Sequence, residues 1–191
     1  MDLADVDGLR MRFPCKPTRA ERSLRLEGLA EPLRMVMWSC EAADATWVLS
    51  ASRLASVTEV SAALRALSAS TQANLAWADH RARAQLQRQG ETPDHALEPS
   101  QGPAQPAWQH ADAGAINVPG MTPNPDARRW RIQGLKPDGA TGARPLTVDA
   151  WHFSHGLTVF QAAIWRSNAP LPRQNGEDAV EVFRQSLQFP G

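Results

Sequence analysis

The 191-residue chain has no tyrosine, only two lysines (Lys16 and Lys136), only two cysteines and no net charge, twenty basic residues balancing twenty acidic ones at a pI near 7.0. Each shortage excludes something. Without a positive excess there is no broad basic surface to displace counterions from a nucleic acid, and none to cling to an anionic membrane. The two lysines stand against 18 arginines, a ratio that GC-rich codon usage explains more simply than a demand for guanidinium chemistry. No apolar run is long enough for a transmembrane helix. Residues 1–7 carry three aspartates and do not form a signal peptide, so an exported form would have lost its leader before Met1. The absence of C-x-x-C argues against structural zinc and thioredoxin-like redox chemistry. There is no G-x-S-x-G elbow, no Gly-rich phosphate loop and no G-x-G-x-x-G. The acidic residues are scattered, without a close pair for glycoside hydrolysis. No reaction and no cofactor is named by this sequence.

What is present suits one globular domain, 42% hydrophobic and 21% charged. Seven tryptophans lie mostly inside apolar runs, which places them in a core or on a sheet face. A stacking platform for single strands would need a basic groove around them.

The cysteines each close a strand-like run, Cys15 after Leu9–Phe13 and Cys40 after residues 33–39. Between them, residues 19–26 and 33–40 read as a hairpin turning through Gly28 and Pro32. If Leu26 faces Leu33, Leu24 pairs with Met35 and Arg19 with Cys40, and Cys15 lies just beyond the same end. A kink at Lys16-Pro17 then brings the two Cα atoms within the ~7 Å that a disulfide needs. The bond would close a loop of about 25 residues and stabilise by roughly 3 kcal/mol. The alternative is two buried free thiols in a cytosolic core.

Further along, residues 46–52 alternate as a strand, and Ser56 with Glu59 forms a capping box. Behind it Val57, Val60, Leu64, Leu67, Thr71 and Leu75 recur at helical spacing, giving one buried stripe to about Trp77 and on toward Gln89. Composition then shifts: about 88–112 is rich in Pro and Gln and has little to bury, a loop insertion in a single domain. Strands are expected at residues 115–121 and 128–135, then a turn at Lys136-Pro137-Asp138-Gly139. Residues 146–154 lead through His155-Gly156 into 157–165, which is apolar on both faces and therefore central in its sheet. Phe160 and Ile164 should meet one helix, Val159 and Ala163 the opposite layer. Asn175, with Glu177 and Asp178 behind it, caps a final helix. Its apolar face is Ala179, Val182, Phe183 and Leu187, and Pro190 stops it. Strands with segregated helices mean an α+β fold, an antiparallel sheet flanked by helices.

Constellations for chemistry are weak. His152 and His155 have an odd separation, which on a strand sends them to opposite faces and keeps them from sharing a metal. His80, His95 and His110 are evenly spaced, but no strand or helix uses that period. Asp149 and His152 are split by the same alternation, so no triad forms with a serine. Arg128, Arg129 and Arg131 on one strand offer a possible anion or partner contact, against the plainer reading of a solvated strand face.

The opening Phe13-Pro14-Cys15-Lys16-Pro17 (F-P-x-K-P), the run from Gly156 to Ile164, and the closing Phe183 to Leu187 (F-x-x-S-L) resemble bacterial proteins of the PsbP-like superfamily. That superfamily includes the DcrB-type envelope lipoproteins. The resemblance spans nearly the whole chain outside the insertion. It implies an α/β/α sandwich without shared catalytic residues or cofactor. A Cys15–Cys40 disulfide in an envelope-located branch fits it. The expectation is a non-enzymatic periplasmic protein that binds or stabilises a protein partner, with no nucleic acid and no transmembrane segment. A cytosolic chaperone for type VI secretion effectors, which would expose an apolar groove, and a small-ligand binding protein are the alternatives.

Overall fold

A strand that buries both its faces must sit inside a sheet covered twice, and the computed structural model places residues 158–166 there. The structure describes residues 2–3, 6–89, 109–139, 142–167 and 179–190. Its elements are β1 (Asp2–Leu3), β2 (Leu9–Arg10), β3 (Thr18–Leu24), β4 (Leu33–Ala42), β5 (Ala45–Arg53), α1 (Val60–Gln89), β6 (Gln109–Ala115), β7 (Arg128–Asp138), β8 (Gly142–His155), β9 (Thr158–Arg166) and α2 (Ala179–Gln185). Seven strands form one antiparallel sheet in the order β3-β4-β5-β9-β8-β7-β6, and β1 pairs with β2 in a separate ribbon. The sheet is two meanders, β3-β4-β5 and β6-β7-β8-β9, joined by β9 against β5 from Ala45↔Arg166 to Arg53↔Thr158. This is an α+β fold.

Alternation sorts the core. Trp38, Trp47, Leu49, Trp151, Phe153, Phe160 and Ile164 face one side, with Phe183 of α2, Phe189 and the N-terminal Leu9 and Met11. Phe153 stacks on Phe160 at 5.2 Å, and Trp47 meets Phe183 at 5.2 Å. Val159 faces the other side with Leu64 and Leu67 of α1, and Ala163 does so with Leu75. The expected split of β9 between two layers therefore holds.

Helix α1 begins as expected: Ser56 and Glu59 form the capping box, with Ser56 Oγ accepting from the Thr58 amide. The first turn, Val57–Glu59, is a 3₁₀ turn, and its three-residue period rotates Val57 off the stripe. Val57 is 70% exposed, not buried as the spacing suggested. From Val60 the buried phase runs through Leu64, Leu67, Thr71, Leu75, Asp79, Ala82 and Leu86, along a helix about 45 Å long.

Several boundaries differ from the sequence reading. The β3–β4 register is Leu24↔Leu33 and Arg19↔Trp38, two residues from the expected pairing. Leu26 leaves the strand to bury itself beside Leu33 and Leu64, which lengthens the turn, and the even-numbered slip keeps every side chain on its face. The strand expected over Leu9–Phe13 is only β2, Leu9–Arg10, and Arg10 exchanges backbone bonds with Gln188. Lys136, Pro137 and Asp138 are strand, not turn, and pair with Arg144, Ala143 and Gly142. Among the described residues β6 starts opposite Gln133, so none of them pairs with Pro137 on that side of β7. Strand β6 starts at Gln109, inside the expected insertion, and α1 continues to Gln89; residues 90–108 lie outside the described residues. The cap at Asn175, with Glu177 and Asp178, also lies outside them. In α2 the buried residues are Ala179, Val180 and Phe183, with Val180 in place of Val182. The helix ends at Gln185, before Pro190, where Ser186 Oγ donates to the Phe183 carbonyl.

Candidate functional site

Cys15 and Cys40 are disulfide-bonded with Cα atoms 6.0 Å apart, across a sequence separation of 25. The observed register makes this possible, since Thr18 pairs with Ser39 and places Cys40 one step beyond the strand start. The bond ties the N-terminal segment to β4 on the α2 side, where Phe13 meets Phe183 at 6.0 Å.

The three strand arginines separate. Arg128 points toward the α1 side and pairs with Asp112 at 3.6 Å. Arg129 and Arg131 point the other way, toward β8. Arg131 stands directly opposite Asp149 in the β7–β8 register, Arg129 opposite Trp151, and Arg166 of β9 opposite Thr147. Direct and diagonal cross-strand neighbours can all reach one residue, and here they converge on Asp149. Its carboxylate is fully buried and accepts from Arg131 Nε at 2.8 Å and from an Arg166 terminal nitrogen at 3.2 Å, with Arg129 at 3.5 Å. Among the described residues one carboxylate contacts these three guanidinium groups, an excess of two positive charges. Arg166 and Arg129 are 17% and 26% exposed, and Arg131 45%. The Nε atoms of Arg129 and Arg166 are buried and have no hydrogen-bond partner among the described residues. Arg129 also lies 5.5 Å over the Trp151 ring, and nearby Glu181 of α2 is held down to a pKa of about 2. The main cause is its hydrogen bond from Arg184, opposed by burial and helped by a hydrogen bond from Gln185 and, least of all, by the charges of Arg184 and Arg129.

This arrangement can bind an acidic group: rigid forks meet carboxylate or phosphate oxygens in bidentate geometry. The second carboxylate nearby, Glu181, is held by Arg184 and Gln185. Among the described residues no group of three or more His, Cys, Asp or Glu gathers as metal ligands, and no helix is long and apolar enough to cross a membrane.

His152 points the opposite way from Asp149, as alternation requires, into a polar seam under α1. Thr71 Oγ1 donates to the Leu67 carbonyl, accepts from Gln161 Nε2 at 3.1 Å, and lies 3.5 Å from His152 Nε2. Burial lowers the His152 pKa to about 4, so the ring is neutral. His155 is on the other face, stacked on Phe189 with Nδ1 2.7 Å from the Gly120 carbonyl. His80 is exposed on α1, and His95 lies outside the described residues.

Two functional-looking groups escaped the sequence reading. Arg166 belongs to the cluster, but nothing local to it signals a partner on β8. Asp79 is buried, takes a two-point contact from Arg83 at 2.7 and 3.3 Å, and accepts the Leu135 amide of β7 at 2.8 Å. Its signal was an acidic residue four positions after Leu75, in phase with the buried stripe.

Comparison with protein-family models, curated proteins and solved structures finds no match to this chain.

Proposed function

We propose that the protein is a non-enzymatic cell-envelope protein of the periplasm that holds a protein partner by an acidic segment at Arg129 and Arg131. The observation that carries this reading is the excess of two positive charges around the buried Asp149. An incoming carboxylate meets guanidinium groups already oriented and partly desolvated, so little ordering is required on binding. The Cys15–Cys40 bond supports the compartment, because disulfides persist where the medium is oxidising. A sheet with helices on both faces is the architecture that a PsbP-like, DcrB-type relationship implies, and the short motifs carry the rest of that proposal. The chaperone reading needs a continuous apolar groove. The large exposed apolar residues among the described ones are Leu24, Val57 and Trp77, on three separate elements, which does not favour it.

Titration calorimetry with hexaglutamate tests the site. Binding is expected at 50 mM salt, weakening about tenfold in Arg129→Gln/Arg131→Gln and falling as salt screens the surface. Equal affinity in wild type and variant would refute it.

A further inference from the structure

Strand β9 stops at Arg166, level with the β4–β5 turn on one side, while the β7–β8 hairpin on the other side runs on. On one side β4 and β5 close between Ala42 and Ala45. On the other, β7 and β8 continue past the last β8–β9 pair, Thr147↔Arg166, to Lys136↔Arg144 and Asp138↔Gly142. The notch between the hairpins is a polar cleft of about 650 Å³, floored by Trp165, Arg166 and Ser167. That size falls within the roughly 300–1,000 Å³ of small-molecule sites.

Its charges are segregated. Glu41 and Asp44 stand on the β4–β5 wall, Lys136 and Arg144 on the β7–β8 wall. None of these four side chains has a hydrogen-bond or ion-pair partner among the described residues. Burial and, after it, the charge of Arg144 lower the Lys136 pKa, against a smaller pull from Asp138 and Glu41. An anion set between Lys136 and Arg144 would relieve that repulsion. Ala43 and Asp44 have φ of 54° and 55°, the paired positive values of the tight turn that a two-residue hairpin loop favours, and this turn sets the position of Asp44.

The span sets the ligand. Strands β5 and β8 are separated by β9, so their axes lie about 10 Å apart, and β7 is one spacing of about 5 Å further. Side chains reaching in from both walls shorten the gap. An extended chain adds about 3.3–3.6 Å per residue, so a short peptide can set its two charged ends on opposite walls. We infer that this cleft binds a di- or tripeptide with free ends, its ammonium against Glu41 and Asp44 and its carboxylate between Lys136 and Arg144. The half-buried Trp165 indole gives the intervening side chain an apolar floor.

Calorimetry on the full chain with trialanine tests this. Trialanine should bind, N-acetyl-trialanine and trialanine amide should each bind about tenfold more weakly, and alanine should give no measurable heat. Lys136→Met/Arg144→Met should weaken trialanine binding and make it indifferent to amidation. Glu41→Gln/Asp44→Asn should make it indifferent to acetylation. The far-UV circular dichroism of each variant is checked for retained fold. Arg131→Gln should leave trialanine binding unchanged, which separates this site from the acidic-partner surface. Absence of binding by the folded wild type, or equal affinity for free and blocked peptides, would overturn the inference. Alanine binding as tightly as trialanine would overturn it too, leaving a simple charge site.

Discussion

His152 makes stability depend on pH in a window where carboxylates contribute little. Its ring is fully buried, and burial lowers its pKa from 6.5 to about 4. The groups facing it offer no compensating charge: Thr71 from α1, Gln161 from β9, and the cation Arg128 at its register position on β7. The folded protein therefore keeps His152 neutral while the unfolded chain takes up a proton below pH 6.5. Stability is full above that value, falls as pH drops from 6.5 to about 4, and stops falling below 4. Each pH unit in the window is worth about 1.4 kcal/mol, so the loss reaches about 2 kcal/mol at pH 5 and about 3 kcal/mol at pH 4. With a urea m-value near 2 kcal/mol/M, the midpoint should fall by roughly 1 M between pH 7.5 and 5 from this group alone. Urea unfolding of wild type and His152→Gln at pH 7.5, 6.5, 5.5 and 4.5 isolates the effect, because the carboxylates titrate in both proteins. The wild type should approach the variant, or fall below it, as the medium acidifies. Parallel curves for the two proteins would refute the reasoning.

Four other outcomes are expected. Cys15→Ser/Cys40→Ser should lower stability by roughly 3 kcal/mol in chemical denaturation, the entropy of a 25-residue loop; oxidised wild type exported to the periplasm should titrate no free thiols after unfolding without reductant. Phe160→Ala should cost about 3–5 kcal/mol, since the ring is fully buried against Phe153 and Phe189; a cost below 1 kcal/mol would place β9 outside the core. Asp149→Asn should cost about 3–5 kcal/mol at low salt by leaving three guanidinium groups without their counter-charge, and Arg131→Gln in the same background should restore part of it. Ala43→Gly should raise the melting temperature, adding up to about 1 kcal/mol by relieving the positive φ.

Local pattern carried most of the fold. The two-sided apolar run of β9, the capping box at Ser56 and the helical phase from Val60 each follow from one physical rule, and each is found. What sequence did not reveal depends on tertiary demand. Leu26 fills a space beneath α1 that no local pattern describes, and so the β3–β4 turn is longer than its glycine and proline suggest. Pro137 reads as a turn residue until its cross-strand pairing with Ala143 on β8 is known. The site was half legible: the sequence marked Arg128, Arg129 and Arg131 as one candidate contact and strand alternation separated Asp149 from His152, but the turning of Arg128 to the other face was not read. The convergence with Arg166 required knowing that β8 lies between β7 and β9, a fact of topology rather than of spacing.

The sheet order has a consequence for synthesis. Every strand of the first meander finds its partner within a hairpin except β5, whose second edge is completed only by β9, with Arg53 waiting for Thr158. At about 5–20 residues per second a ribosome needs about 5–20 s to supply that partner. For that interval the nascent chain carries an open strand edge bearing Trp47, Leu49 and Ala51, a template for pairing with other chains. A chain held unfolded until synthesis is complete would never present this edge alone, since both meanders are then at hand to close on each other at once.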